Sequence, residues 1–207
     1  MKIVGIDLAG VESKPTGFCI LDENLNTKTK ILFEDKEIIK EVEKVKPKVV
    51  SIDAPLALPK GRCCLRKTCK CRKFGHFRKC DLELRKMGIK FFPITLGPMR
   101  KLTLRGIKLR KIFERKKIKV IESFPGSIQD VLKMPRKQKG LEKLRKALIK
   151  YGFKGDVFKK EITDHELDAI TSALVGKLYL EGDYLAIGDP EEILMILPKP
   201  KNSCKVA

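Results

Sequence analysis

Several things are missing from this chain. It has no tryptophan and three tyrosines in 207 residues, which leaves phenylalanine, at ten, as the main aromatic. No apolar run approaches the ~20 residues that a membrane-spanning helix needs, so a membrane reading lacks support. The first ten residues hold Asp7 inside their apolar stretch and make a poor secretion signal. Acids are in deficit, 26 against 46 lysines and arginines, for a formal net charge of +20. A field of that size favours polyanions, nucleic acid before anionic membrane. Scarce asparagine and glutamine fit growth at high temperature, but that adaptation raises charges of both signs. With 43% hydrophobic residues the chain is no disordered tail and can bury a substantial core.

Seven cysteines in a chain expected to be cytoplasmic suggest metal ligands or buried thiols before disulfides. Five of them, Cys63, Cys64, Cys69, Cys71 and Cys80, fall in one stretch with His76 between, inside or beside the acid-free segment Lys60 to Lys79. They offer enough ligands for tetrahedral zinc, although the spacing is not that of paired CxxC knuckles. A disulfide or free thiols remain open. A basic loop pinned by metal would suit a nucleic-acid backbone, with Phe74 and Phe77 available for stacking. Cys19 and Cys204 look incidental.

The first strand organises the chain. Ile3, Val4, Ile6 and Leu8 read as a central strand covered on both faces, with Asp7 at its tip. Gly17 to Leu21 and Lys30 to Phe33 continue an antiparallel meander. Asp35 to Val45 has helical spacing, and Val49 to Asp53 repeats the opening pattern of apolar strand and acid. A helical crossover makes that strand parallel to the first if the two are neighbours, which sets Asp7 and Asp53 at one carboxyl edge, where open α/β sheets bind ligands. Asp81 to Met87 and Gly97 to Lys117 read as helices. The latter carries Arg100, Lys101, Arg105 and Lys108, either a solvated face or a phosphate-facing rim. Ile118 to Glu122 is a third strand ending in an acid, and Ser127 can cap the short helix that follows. Gly140 to Tyr151 is amphipathic. Thr163 and Glu166 form a capping box for a long helix to about Glu181. That helix has Asp164 and Asp168 one turn apart, and its face of Ala169, Ala173 and Gly176 permits close packing on the sheet. The expected organisation is one domain over 1–198 with an insertion at about 58–97 and a basic tail over 199–207.

Asp7, Asp53 and Glu122 thus end strands, and Asp164 and Asp168 begin a helix. Any one acid after a strand can simply start a turn. Several at one edge repel one another unless cations intervene. Mg²⁺ or Mn²⁺ takes oxygen ligands and grips phosphates. Two such ions ~4 Å apart stabilise the attacking and leaving oxygens of phosphodiester hydrolysis.

The segments GIDLAG, SIDAPL, VIESFPG, DHELDAITSALVGKLYLEG and GDPEEILMILPK, with CDLELRKMGIKFFP and GPMRKLTLRGIKLRKIFE between them, resemble a family of predicted nucleases of the ribonuclease H-like fold, RuvC-like and known from archaea and bacteria. The resemblance implies a mixed five-stranded sheet flanked by helices, interrupted by the basic, Cys-rich insertion. It implies Asp7 as central metal ligand, Asp53 as the second, and Asp168 with Asp164 from the last helix. RuvC-type enzymes carry that final pair three residues apart; here the spacing is four and His165 takes the other place. Glu122 belongs to the narrower family's pattern, as a ligand or a catalytic neighbour of one. His165 is a proton shuttle, a hydrogen-bond donor to the scissile phosphate, or a bystander at the helix start. The reaction implied releases a 3′-hydroxyl.

A metal-dependent nuclease acting through Asp7, Asp53 and Asp168 is the leading expectation. A non-catalytic nucleic-acid-binding protein is the alternative. An ATP-dependent phosphotransferase is weaker, because the turn Gly10 to Pro15 has one glycine and an acid where a phosphate-binding hairpin needs several glycines.

Overall fold

The structure, a computed structural model, describes residues 1–200. Most of the basic tail and Cys204 lie outside the described residues.

Three strands open the fold, β1 (Lys2–Asp7), β2 (Thr16–Asp22) and β3 (Asn26–Leu32), each antiparallel to the one before. Helix α1 (Asp35–Val45) then crosses over to β4 (Val49–Asp53), which pairs parallel with β1. The stretch expected as an insertion holds a short 3₁₀ turn at Lys70–Phe74 and helix α2 (Lys79–Lys86). Next come α3 (Gly97–Arg115), β5 (Val120–Ser123), α4 (Pro125–Val131), α5 (Leu141–Tyr151) and β6 (Lys154–Gly155). The chain closes with α6 (Asp164–Glu181), β7 (Tyr184–Ile187) and β8 (Met195–Pro198).

These strands form one mixed sheet of eight among the described residues, in the order β6-β3-β2-β1-β4-β5-β8-β7, so the expectation of five is corrected. The two-residue β6 is too short to show a period, and β7 and β8 form an antiparallel edge pair built from short apolar pieces. A second correction concerns Ser127. Helix α4 begins at Pro125 with Phe124 as its cap residue, and the Ser127 hydroxyl donates back to the Phe124 carbonyl at 2.6 Å.

The alternation along β1 sorts the core into two layers. Val4, Ile6 and Leu8 join Val50 and Ile52 against α1 and α3. Ile3 and Val49 face α6, most of which is buried. Gly5 and Gly17 lie on that second face. A Cβ at Gly5 would overlap the Ala169 carbonyl and the Ala173 amide, and one at Gly17 would overlap the His165 carbonyl. Helix α6 therefore rests on the sheet backbone to backbone, and its first turn arrives beside the tip of β1. A third, smaller cluster packs Cys80 and Leu84 of α2 against Ile187 and Leu197 of the edge pair.

Candidate functional site

The parallel register pairs Asp7 with Asp53. Register partners project to the same face, and neighbouring strands lie ~4.8 Å apart, so two carboxylates stand side by side at the carboxyl edge. Both face α6, as do Ile3 and Val49.

The start of α6 is fixed by local chemistry. The Thr163 hydroxyl accepts from the Glu166 amide at 3.2 Å, and the Glu166 carboxylate accepts from the Thr163 amide at 2.9 Å. Glu166 also accepts from the Thr29 hydroxyl at 2.6 Å, which ties the helix start to β3. Asp164, His165 and Asp168 thereby enter the same edge. Position Nδ1 of His165 lies 2.7 Å from Oδ2 of Asp7. Asp168 is buried and accepts from Nε2 of Gln129, on α4, at 3.0 Å. The ammonium of Lys137 bridges Asp164 at 3.0 Å and Asp168 at 2.8 Å.

The acids perturb one another as like charges at close quarters should. Burial pushes the Asp53 carboxyl well above the usual carboxylate range, and the negative charges of Asp7 and Asp168 add to it. Asp168 is raised by burial and by Asp7, against the opposing pull of Lys137 and Gln129. The hydrogen bond to Asp7 raises His165 above the ordinary imidazole value. Burial pushes Asp164 up, but the hydrogen bond from Lys137 outweighs it and the carboxyl ends below its usual range. Among the described residues no three carboxylates lie mutually within 4.8 Å, so the set is open.

Glu122 is not part of this set. The β4–β5 register pairs Ile52 with Glu122 and Asp53 with Ser123, so Glu122 projects to the opposite sheet face. There it is fully buried in a two-pronged ion pair with Arg78, at 2.6 and 2.7 Å, and accepts from the Leu56 amide at 2.8 Å. Asp81 braces the same guanidinium at 3.0 Å. The expectation of Glu122 as a catalytic acid is corrected accordingly. Its position beside Asp53 goes to Ser123, whose buried hydroxyl has no protein partner.

The basic helix α3 divides. Arg105 is buried, with its guanidinium on Asp35 at 2.7 Å and on the carbonyls of Ala9 and Phe33. Lys108 also pairs with Asp35, at 2.8 Å. Arg105 is thus a tie between α3, α1 and β1, and not a surface contact. Lys101 is exposed, and its Cβ approaches Gly10 at the β1 tip. Arg100 reaches the Thr95 carbonyl.

Between Asp53 and the insertion lies a cleft of about 870 Å³, walled by Phe77, Phe91, Phe92 and Phe124 with Arg85 and Arg136. Phe77 and Phe91 meet edge to face at 5.9 Å. Phe74 stands apart and exposed.

The cysteines separate as well. Cys63, Cys64, Cys69 and Cys71 gather with their sulfurs all within 4.8 Å of one another. Cys80, expected with them, is buried on α2 among Leu84 and Leu197. His76 is engaged by Thr95 at 2.8 Å.

Lys137, Gln129 and Ser123 escaped the sequence reading. Lys137 lies in a polar loop and shows no period. Gln129 had one usable signal, an amide in a chain that has few of them.

No protein-family model matches the chain, and no curated protein is significantly similar to it. Solved structures are. A Thermus thermophilus RuvC in complex with a Holliday junction substrate superposes with a TM-score of 0.53 at 10% identity, over 88% of this chain and 96% of that one. Another T. thermophilus RuvC structure gives 0.47 at 11% identity, over 88% and 97%. At such identity the first match establishes the fold, ribonuclease H-like, and no more.

Proposed function

We propose that the chain is a metal-dependent nuclease that hydrolyses phosphodiester bonds at Asp7, Asp53 and Asp168. The observation that carries this reading is the in-register pair Asp7–Asp53 on one sheet face, opposed by Asp168 from α6. Such a set is electrostatically unfavourable alone. Its donors are all oxygens, which suits Mg²⁺ or Mn²⁺. The Lys137 ammonium on Asp164 and Asp168 marks where positive charge is wanted, so the residues fit a divalent cation. Asp7, Asp53 and Asp168 would hold it, with Asp164 at the rim; when bound, one or two such ions would supply an activated water and neutralise charge on the phosphoryl group.

The chain's own residues do the rest. With Asp7 ionised, His165 keeps its proton on Nδ1, which donates to Asp7 and leaves Nε2 to exchange a proton with water or the leaving 3′-oxygen. Gln129 and Lys137 orient the Asp168 carboxylate. The net charge of +20 draws in a polyanion, and the aromatic and cationic cleft beside Asp53 can take unstacked bases next to phosphates. The junction bound by the RuvC neighbour makes branched DNA the first substrate to offer.

One observation favours a second reading, a non-catalytic nucleic-acid-binding protein: Lys137 already balances two of the acids without any ion. One assay separates the two. Purified protein is incubated with labelled single strands, duplex, four-way junction and RNA, in Mg²⁺, Mn²⁺ or chelator. Metal-dependent cutting that is abolished in Asp7→Asn, with binding retained, supports the nuclease. Salt-sensitive binding without cutting on any substrate sinks it and leaves the second reading.

A further inference from the structure

We propose that Cys63, Cys64, Cys69 and Cys71 bind one zinc ion in a closed, all-thiolate tetrahedral site that holds the tip of the basic insertion. The first support is geometric. Tetrahedral zinc with Zn–S bonds of about 2.3 Å places its sulfurs roughly 3.8 Å apart along each edge. In the structure Cys63 and Cys69 are separated by 3.6 Å between sulfurs, Cys64 and Cys71 by 3.8 Å, and all four sulfurs lie within 4.8 Å of one another. Four thiols converge at the spacing a zinc ion imposes.

The surrounding backbone is built to present them. The Arg62 guanidinium donates to the Cys64 carbonyl at 3.1 Å and to the Gly75 carbonyl at 2.6 Å, clamping the two sides of the loop. The 3₁₀ turn Lys70–Phe74 begins directly after Cys69 and closes with the Arg72 amide on the Cys69 carbonyl at 3.0 Å. Leu65, between the two cysteine pairs, is buried beneath. At the base, both oxygens of Glu192 accept backbone amides, Lys60 at 2.6 Å and Lys79 at 2.5 Å.

Charge agrees with geometry. Binding forms four Zn–S bonds and releases the four thiol protons to solvent, leaving a site of net charge −2. The segment Lys60 to Lys79 carries nine lysines and arginines and no acid, a setting that stabilises such a dianion. Small hydrophobic contact in this loop is the reason it needs a staple: Cys63, Arg66, Lys67, Thr68, Lys70, Arg72 and Lys73 are all exposed. With four protein ligands the site has no open position, so its role is to order the loop and not to act on substrate.

The test uses the full chain, independent of any nuclease assay. Dialysed protein is expected to hold one zinc per chain by elemental analysis. Cobalt introduced in its place is expected to give a strong thiolate-to-metal charge-transfer band and the visible bands of tetrahedral coordination. Cys63→Ser combined with Cys71→Ser is expected to lose the zinc, and Cys80→Ser to keep it. Chelation is expected to open Lys60 to Lys79 to trypsin. Protein that takes up neither metal stoichiometrically overturns the proposal. So do Cys63–Cys69 or Cys64–Cys71 disulfides in non-reducing mass mapping, or zinc retained by the double variant. Should that variant fail to fold, the cobalt spectrum of the unaltered chain decides.

Discussion

Gly17 of β2 and His165 of α6 touch backbone to backbone, with no room for a Cβ between them. This contact sets how deeply the first turn of α6 sinks toward the tip of β1, and so fixes the hydrogen bond from His165 to Asp7. Gly17→Ala must push the helix outward. The expected cost is about 1–3 kcal/mol of stability, the range for overpacking a tight interior, measured by denaturant unfolding. The His165 ring signals in an NMR spectrum should move as the contact with Asp7 loosens. Unchanged stability and unchanged His165 signals would refute this account.

The Arg78–Glu122 pair is wholly buried, so cutting one side strands a charge. Arg78→Met and Glu122→Leu are each expected to cost about 3–5 kcal/mol. The double variant is expected to cost less than their sum, because neither charge of the pair remains and only the buried Asp81 carboxylate still loses its partner. Additivity in this cycle would mean that the two side chains do not stabilise each other.

Asp35 carries a pH signature. Burial pushes its carboxyl up, but hydrogen bonds from Lys108 and Arg105 outweigh that and leave it below its ordinary value. A depressed folded-state pKa stabilises the fold above the unfolded value of about 3.9, and the benefit is lost as pH falls through the folded one. Asp35→Asn should therefore lower stability near neutrality by about 1–3 kcal/mol, and the gap from the parent protein should shrink in acid. A gap that stays constant from pH 7 down to the acid limb contradicts the assignment.

If a divalent ion is held as proposed, Lys137 competes with it for Asp164 and Asp168. Lys137→Met removes the resident cation, so the rise in melting temperature on adding Mg²⁺ or Mn²⁺ should exceed that of the parent. A ligand at a hundredfold over its Kd stabilises by about 2.7 kcal/mol, which thermal shift resolves easily. An identical metal response in both proteins would place any ion elsewhere.

Much of this was readable from residue order. Strand, crossover helix and strand put Asp7 and Asp53 at one edge, and the capping box at Thr163 and Glu166 located the start of α6. What escaped depended on registers and packing that no local pattern encodes. Glu122 reads as the end of its strand as Asp53 is of its own, yet β5 runs on to Ser123, which takes the place beside Asp53 and leaves Glu122 on the other face. Lys137 reaches the acids from a loop between α4 and α5, a tertiary contact without a sequence period. Arg105 could have been caught. It stands three residues after Leu102 and four before Leu109, on the apolar stripe of its own helix, where a charge must find a partner inside.

Glu192 has a practical consequence. One carboxylate grips both feet of the segment Lys60 to Lys79, so the chain leaves and rejoins the sheet domain at nearly the same point. A short turn from Lys60 to Phe77 could replace Gly61 to His76 while keeping Arg78 on Glu122, and a foreign loop could be grafted there on the same footing. The part from Gly61 to His76 is the detachable portion, whereas Phe77 and Arg78 at its far foot belong to the cleft and to the buried pair with Glu122 and must stay.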